Sequence, residues 1–217
     1  MPSLDTILAV ALAGFALSVT PGPSMLYVAS RSIGQSRSAG LASALGLGIG
    51  GVLLAIATAY GLAAVFIQFA WLVEALRLVG SAYLVWLGIE MIWTARMSSQ
   101  RSLAASQVHK ESFFRIVWQG ILVEILNPKT VLFFALFLPP FIKGGIERAD
   151  PADVRLQLLV LGALVPLTAV PSDLLVALMG SKATRALNQK QRFREGLAWI
   201  GGLLLVSIAA NVHVGIL

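Results

Sequence analysis

Two proline-containing breaks interrupt the apolar parts of the chain. The first is Thr20-Pro21-Gly22-Pro23-Ser24 and the second is Asn127-Pro128-Lys129-Thr130. Pro21 and Pro128 are 107 residues apart, which is close to half of the 217-residue chain. Gly/Pro-interrupted apolar segments at corresponding positions of two halves are typical of the binding sites of inverted-repeat transporters.

The chemistry of these breaks suits a small zwitterion. Thr20 and Asn127 are good helix N-cap residues and each precedes a proline, which predicts that a helix restarts at each break. The N–H groups at such a start favour an anion. A proline cannot donate to the carbonyl four residues before it, so three carbonyls are predicted to be free for a polar ligand. These carbonyls belong to Leu17, Val19 and Glu124.

Three ionisable residues in apolar segments are further candidates for binding. An ionisable group at membrane depth is a functional hypothesis by default. We predict that Lys129 faces a substrate carboxylate, and that Glu124 and Asp173 receive a substrate ammonium or a coupling proton. The predicted substrate and ion site therefore comprises Thr20, Pro21, Gly22, Pro23, Ser24, Glu124, Asn127, Pro128, Lys129 and Asp173.

Structural alternatives stand beside each of these assignments. The prolines alone would also produce ordinary kinks. Glu124 and Lys129 would also form a self-neutralising pair, although their spacing of five residues does not align them on a regular helix. Asp173 would also hydrogen-bond to neighbouring helix ends. Glu90 is interpreted as an interfacial group rather than a site residue.

The elements that must position these residues are long apolar runs. Of all residues 58% are apolar and only 12% are charged, against about a quarter charged in soluble domains. Each run is long enough to cross about 30 Å of hydrocarbon. The runs predict an all-α membrane protein with six transmembrane helices, at about 4–30, 39–67, 71–95, 113–142, 155–179 and 194–214. The first run lacks the basic start of a signal peptide, so we expect it to be retained.

The predicted helices form one transporter domain, 1–217, with two inverted repeats of three helices. The first repeat covers about 1–95 and the second about 113–217, and a polar cytoplasmic loop, about 96–112, separates them. Helices one and four carry the breaks. An odd number of helices per repeat requires the inversion.

Positive charge predicts the orientation of the chain in the cytoplasmic membrane. Loops one, three and five hold eleven of the sixteen Lys and Arg residues, whereas loops two and four hold four. Short loops rich in Lys and Arg stay in the cytoplasm. Both termini are therefore predicted to lie outside.

Small residues recur every four positions in the second helix. Ala42, Gly46 and Gly50 form one series, and Gly51, Ala55 and Ala59 form another. Such series let a second helix approach closely. Packing inside the monomer, a homodimer seam and a sliding surface all fit this pattern.

Several classes of function are disfavoured by the sequence. The chain has no cysteine and two distant histidines, so neither a thiolate nor an imidazole metal site is expected. No phosphate-binding loop or catalytic triad is visible, so no enzyme and no cofactor are predicted. The net charge of +6 is spread over loops, which indicates topology rather than nucleic-acid binding.

The chain resembles the LysE/RhtB family of amino-acid exporters over nearly its whole length. The resemblance rests on Thr20-Pro21-Gly22-Pro23, Arg31, Arg37, the Gly-rich region 40–51, the Gly80-Ser81-Ala82-Tyr83-Leu84-Val85-Trp86-Leu87-Gly88 segment, Asn127-Pro128-Lys129, Phe133-Phe134 and Leu138-Pro139. It implies an efflux carrier for small amino acids, driven by the proton gradient. Ser24 and Pro140 stand where many relatives have Asn and Gln, so a particular amino acid is not carried over.

These observations predict a secondary active exporter of small amino acids or close derivatives that works by alternating access. The substrate, a proton and the lipid bilayer are its predicted partners. Export of another small metabolite or ion, or a passive channel, is the alternative.

Overall fold

The computed structural model describes four continuous stretches of the chain and scattered positions between them. The stretches are 2–20, 22–62, 110–142 and 150–189, with side chains described as far as 179 in the last. The scattered positions are 75, 78–79, 81–83, 85–86, 88–90, 92–93, 196, 199–200, 202–203, 205–207 and 209–210. Within these residues the chain is helical and contains no strand, as an all-α membrane protein requires.

The first predicted segment is a broken helix. Helix α1 spans Leu4–Val19, and α2 spans Pro23–Gly34 at 51° to it. Ser3 caps α1 by accepting a hydrogen bond from the amide of Thr6. Because α2 continues four residues beyond the predicted end at 30, the break lies near the middle of the pair.

The fourth predicted segment is broken in the same way. Helix α4 spans Phe113–Ile125 and α5 spans Pro128–Leu132, followed by a π-helical turn, Phe133–Phe137, and a 3₁₀ turn, Pro139–Phe141. The two halves meet at 48°. Ring stacking of Phe137 on Phe133 and Phe141, at 4.3 and 4.7 Å, anchors the second half in the core.

Two unbroken helices lie between and after these pairs. Helix α3 spans Arg37–Ala57 and ends in a π-helical turn, Thr58–Leu62, while α6 spans Pro151–Gln189. Both contain stretches long and apolar enough to cross a membrane. Helix α6 begins before and ends after the predicted 155–179, so the start of predicted loop five is helical. It also runs through Pro166 and Pro171 without a break.

The third and sixth predicted segments fall largely outside the described residues. The described positions from 75 to 93 and from 196 to 210 are helical. Gly88 and Gly202 lie back to back there, since a Cβ on either glycine would meet the other's carbonyl oxygen at 2.6 Å. The loop at 94–109 lies outside the described residues.

The small residues of α3 pack against two helices of the same chain. A Cβ at Gly46 would lie 2.3 Å from the carbonyl oxygen of Val117 on α4. On the other face, Gly51 abuts Pro166 of α6. Each series of small residues therefore serves packing within the monomer.

The outer surface is apolar, as lipid contact requires. Leu8, Leu12 and Phe15 expose 45% to 52% of their surface along α1. Leu175 and Leu178 expose 53% and 50% on α6. Exposed apolar stripes on helices of this length are stable in hydrocarbon and costly in water.

Candidate functional site

The two breaks meet through a side-chain hydrogen-bond chain. The Ser24 hydroxyl donates to Glu124 Oε2 at 2.5 Å, and Asn127 Nδ2 donates to Ser24 Oγ at 2.9 Å. Ser24 lies in the first turn of α2, whereas Glu124 and Asn127 border the break between α4 and α5. Residues 100 positions apart in sequence therefore form one polar centre.

The second break matches the predicted helix restart. Asn127 is the N-cap of α5, and its Oδ1 accepts the Lys129 amide at 3.1 Å. Pro128 occupies the first helical position, where its missing N–H costs nothing. The N-cap prediction for Asn127 is confirmed. This N-terminus is consequently capped by the protein itself.

The first break restarts differently from the prediction. Gly22, not Thr20, is the N-cap of α2, and Pro23 occupies its first position. The Thr20 hydroxyl instead donates back to the carbonyl of Ala16 at 2.8 Å, as threonines at helix ends often do. No described side chain caps α2, so its first N–H groups have no side-chain acceptor in that part of the chain and are available to a ligand.

Lys129 bridges the two breaks. Its Nζ donates to the carbonyl oxygens of Leu17 and Thr20 at 2.8 and 3.3 Å. The Leu17 carbonyl is one of those predicted to be free, and a protein ammonium occupies it. The Glu124 carbonyl is not free either, because it accepts the Asn127 amide at 3.1 Å.

Glu124 and Lys129 take separate partners. Both lie in the described part of the chain, and there they form no ion pair with each other. Glu124 is held by Ser24, while Lys129 is held by α1. The alternative of a self-neutralising pair is therefore not what the structure shows.

A cavity of about 660 Å³ opens beside the joined breaks. Its lining includes seven of the ten predicted residues, namely Thr20, Gly22, Ser24, Glu124, Asn127, Lys129 and Asp173. Pro23 and Pro128 begin the restarted helices and do not line it. Pro21 lies outside the described residues. The volume falls within the range of small-molecule sites.

Asp173 faces this cavity from α6. Among the described residues its carboxylate has no hydrogen-bond partner, although it lines the cavity. The predicted alternative, hydrogen bonding to helix ends, is absent in that part of the chain. A carboxylate without a protein partner is available to a ligand or a proton.

Two further polar features were not predicted from sequence. Tyr83 donates its hydroxyl to the Lys129 carbonyl at 3.1 Å and so ties the third segment to α5. Its place in an apolar run gives no signal of this role. The other feature is a cluster of five hydrogen-bonded residues between α2 and α4, which we call the clasp. It comprises Tyr27, Arg31, Gln35, Glu111 and Gln119.

The clasp joins the ends of α2 and α4 that lie away from the breaks. Arg31 is 8% exposed and donates to Gln119 Oε1 at 2.7 Å. The Gln35 side chain makes two hydrogen bonds to the backbone of Glu111. It donates to the carbonyl at 2.7 Å and accepts from the amide at 3.1 Å. Seven residues of helix, about 10 Å, separate Arg31 from Ser24. The clasp therefore closes one end of the α2–α4 contact.

The spans are apolar, two helices are broken at matching places, and a cavity lies at the breaks. These features are typical of a membrane transport protein. The chain belongs to the LysE type translocator family, whose sequence profile matches residues 15–215. The resemblance stated from its motifs is thereby confirmed.

Two relatives of the chain carry names that concern efflux, and a third is named only as a membrane protein. It is 27% identical to the leucine efflux protein of Enterobacter sp. (strain 638), over 91% of this chain and 90% of that protein. It is also 27% identical to the threonine efflux protein of Escherichia coli (strain K12), over 92% and 91%. An uncharacterized membrane protein of Bacillus subtilis (strain 168) is equally similar, over 87% and 89%. No solved structure matches the chain.

Proposed function

We propose that the protein is a secondary active exporter of small amino acids or close derivatives across the cytoplasmic membrane. Its family and the names of the leucine and threonine efflux relatives support this function. The observation that carries it is the cavity at the joined breaks, where the start of α2 and the Asp173 carboxylate face the same space and neither has a side-chain partner among the described residues.

These groups suit the two ends of a zwitterion. The free N–H groups of α2 and the Lys129 ammonium would receive the substrate carboxylate. Asp173, with Glu124 beside it, would receive the ammonium. Such polar backbone is tolerated at membrane depth because it faces a cavity rather than lipid.

Asp173 is also the proposed carrier of the coupling proton. It differs from Glu124 because no described protein group holds its carboxylate. A carboxylate that alternates between a proton and a substrate ammonium would link substrate exit to proton entry. The driving force would then be the proton gradient.

Alternating access is supported by contacts that recur between the two halves. Helix α3 packs on α4, and in the same relation α1 packs on α6, where a Cβ at Gly14 would meet the Thr168 hydroxyl at 2.6 Å. The contact of Gly88 with Gly202 joins the third and sixth segments. This pairing fits two inverted repeats that rock around the breaks, with the clasp as the closed side.

The test is efflux from proteoliposomes that contain the purified full chain. Radiolabelled amino acids would be loaded and their exit measured with and without a pH gradient. We expect saturable exit that slows when a protonophore collapses the gradient. Non-saturable exit that ignores the gradient would indicate a channel, and exit of no amino acid would refute the proposal.

A further inference from the structure

The cavity has a polar end and an apolar wall. Its described polar lining comes from the two breaks, from Ser18 and Glu124 beside them, and from Asp173. The wall contributed by α3 contains only apolar side chains and glycines, among them Leu41, Leu45, Gly48 and Ile49. A zwitterion held at the polar end would therefore direct its side chain towards an apolar surface.

Gly48 differs from the other glycines of this wall helix. A Cβ at Gly46 would collide with α4, and one at Gly50 would lie 2.7 Å from Glu124 Cβ. Among the described residues, a Cβ at Gly48 would meet nothing within 4 Å, and Gly48 lines the cavity. Two residues turn a helix by about 200°, so Gly48 faces away from the packed side occupied by its neighbours.

The position of Gly48 along α3 brings it level with the polar centre. Its neighbour Gly50 backs directly onto Glu124. A glycine inside a helix lowers helix stability, and at Gly48 no close packing explains it. The absence of a side chain at Gly48 therefore leaves open space in the cavity at the depth of the site.

We propose that Gly48 sets the largest substrate side chain that the site accepts, and that the substrates are amino acids with a bulky apolar side chain. The inference rests on the proposed function. A charged side chain against this wall would lose its hydration without gaining a described polar partner. An apolar side chain would instead be transferred from water into an apolar surface.

The test is a size series at this position. Gly48→Ala, Gly48→Val and Gly48→Leu would be compared with the unchanged protein in proteoliposome efflux of glycine, alanine, leucine, phenylalanine and lysine. We expect the unchanged protein to prefer leucine and phenylalanine over lysine. Leucine and phenylalanine efflux should fall stepwise along the series, by about tenfold at Gly48→Leu, while alanine efflux is retained.

Gly61 supplies the matched control. It lies in the π-helical turn that ends α3, and a Cβ there also meets no described atom within 4 Å, but it does not line the cavity. Gly61→Leu should leave the substrate profile unchanged. The graded Ala and Val variants keep the test valid where Gly48→Leu folds poorly.

The outcomes separate the two proposals. The first outcome is that the unchanged protein exports amino acids, but efflux along the series falls equally for all substrates or does not fall. This outcome would refute the role of Gly48 and leave the exporter function intact. A preference for lysine would refute the apolar substrate class alone. Absence of any amino-acid efflux would refute the proposed function and this inference with it.

Discussion

Lys129 and Asp173 are both ionisable groups that line the cavity, but the structure gives them different surroundings. Lys129 donates to two carbonyls at the end of α1. Asp173 has no described hydrogen-bond partner. The Lys129 side chain therefore contributes hydrogen bonds to the folded structure of the site, whereas the Asp173 side chain contributes none among the described residues. Their substitutions should separate stability from transport.

Lys129→Ala should destabilise the folded protein as well as impair transport. The substitution removes the donor of the Leu17 and Thr20 carbonyls, and an unsatisfied buried polar group costs about 1–3 kcal/mol. The midpoint of thermal unfolding in detergent measures the effect, with Lys129→Arg as the control that keeps a donor. An unchanged midpoint would mean that these two hydrogen bonds contribute no stability.

Asp173→Asn should abolish proton-coupled efflux with little change in stability. The change leaves size and polarity similar and breaks no described hydrogen bond, so stability should move by no more than about 0.5 kcal/mol. Efflux driven by a pH gradient, followed beside the unfolding midpoint, tests this. Ser172→Ala, next to it, is the control. Coupled efflux at the unchanged rate would remove Asp173 from the mechanism.

Much of this site could be predicted from residue types, and the exceptions have physical reasons. Asn127 as a helix cap follows from local rules that hold at any depth. The prediction of Thr20 as an N-cap is wrong because its hydroxyl has a competing acceptor in the preceding turn, the carbonyl of Ala16. Tyr83 was not predicted because its hydroxyl finds a partner only through the tertiary fold.

At the scale of the elements, the breaks are determined by proline, whose missing N–H and fixed ring act locally. This is why both bent helices were predicted. The end of α6 was not predicted, because residues 180–189 have the polar composition of a loop although they continue the helix. Polarity marks where a helix leaves the membrane rather than where it ends.

Some glycines of α3 pack against a neighbouring helix, whereas Gly48 faces the cavity. Alanine substitutions at the two kinds of position should therefore change the stability of the protein in opposite directions. Gly46→Ala should destabilise the protein by about 1–3 kcal/mol, since its Cβ would lie 2.3 Å from the Val117 carbonyl oxygen. Gly48→Ala should stabilise it by about 0.5–1 kcal/mol through higher helix propensity. Thermal unfolding of the two variants side by side makes the comparison. Equal effects of the same sign would refute this distinction between the two kinds of position.

At the scale of the whole molecule, two long-range contacts show which loops lie at the same end of the helices. Gln35, in the turn between α2 and α3, grips Glu111 before α4, so loops one and three share one end. Arg155 of α6 lies 5.8 Å from the ring of Tyr60, which brings the end of α3 to the start of α6. This grouping agrees with the predicted placing of loops one and three on the same side of the membrane, and the assignment of that side to the cytoplasm stays a prediction from positive charge.

Cysteine labelling tests that orientation without background, because the chain has no cysteine of its own. Ser38 and Ala152 are both exposed, the first near the clasp end and the second at the start of α6. In intact cells a membrane-impermeant maleimide should label Ala152→Cys and spare Ser38→Cys. Both variants should react once the membrane is permeabilised, which controls for buried or unreactive thiols. The opposite pattern would place the Arg-rich loops outside and refute the predicted orientation. If both react in intact cells, the two positions share one side, contrary to the separation of ends described here.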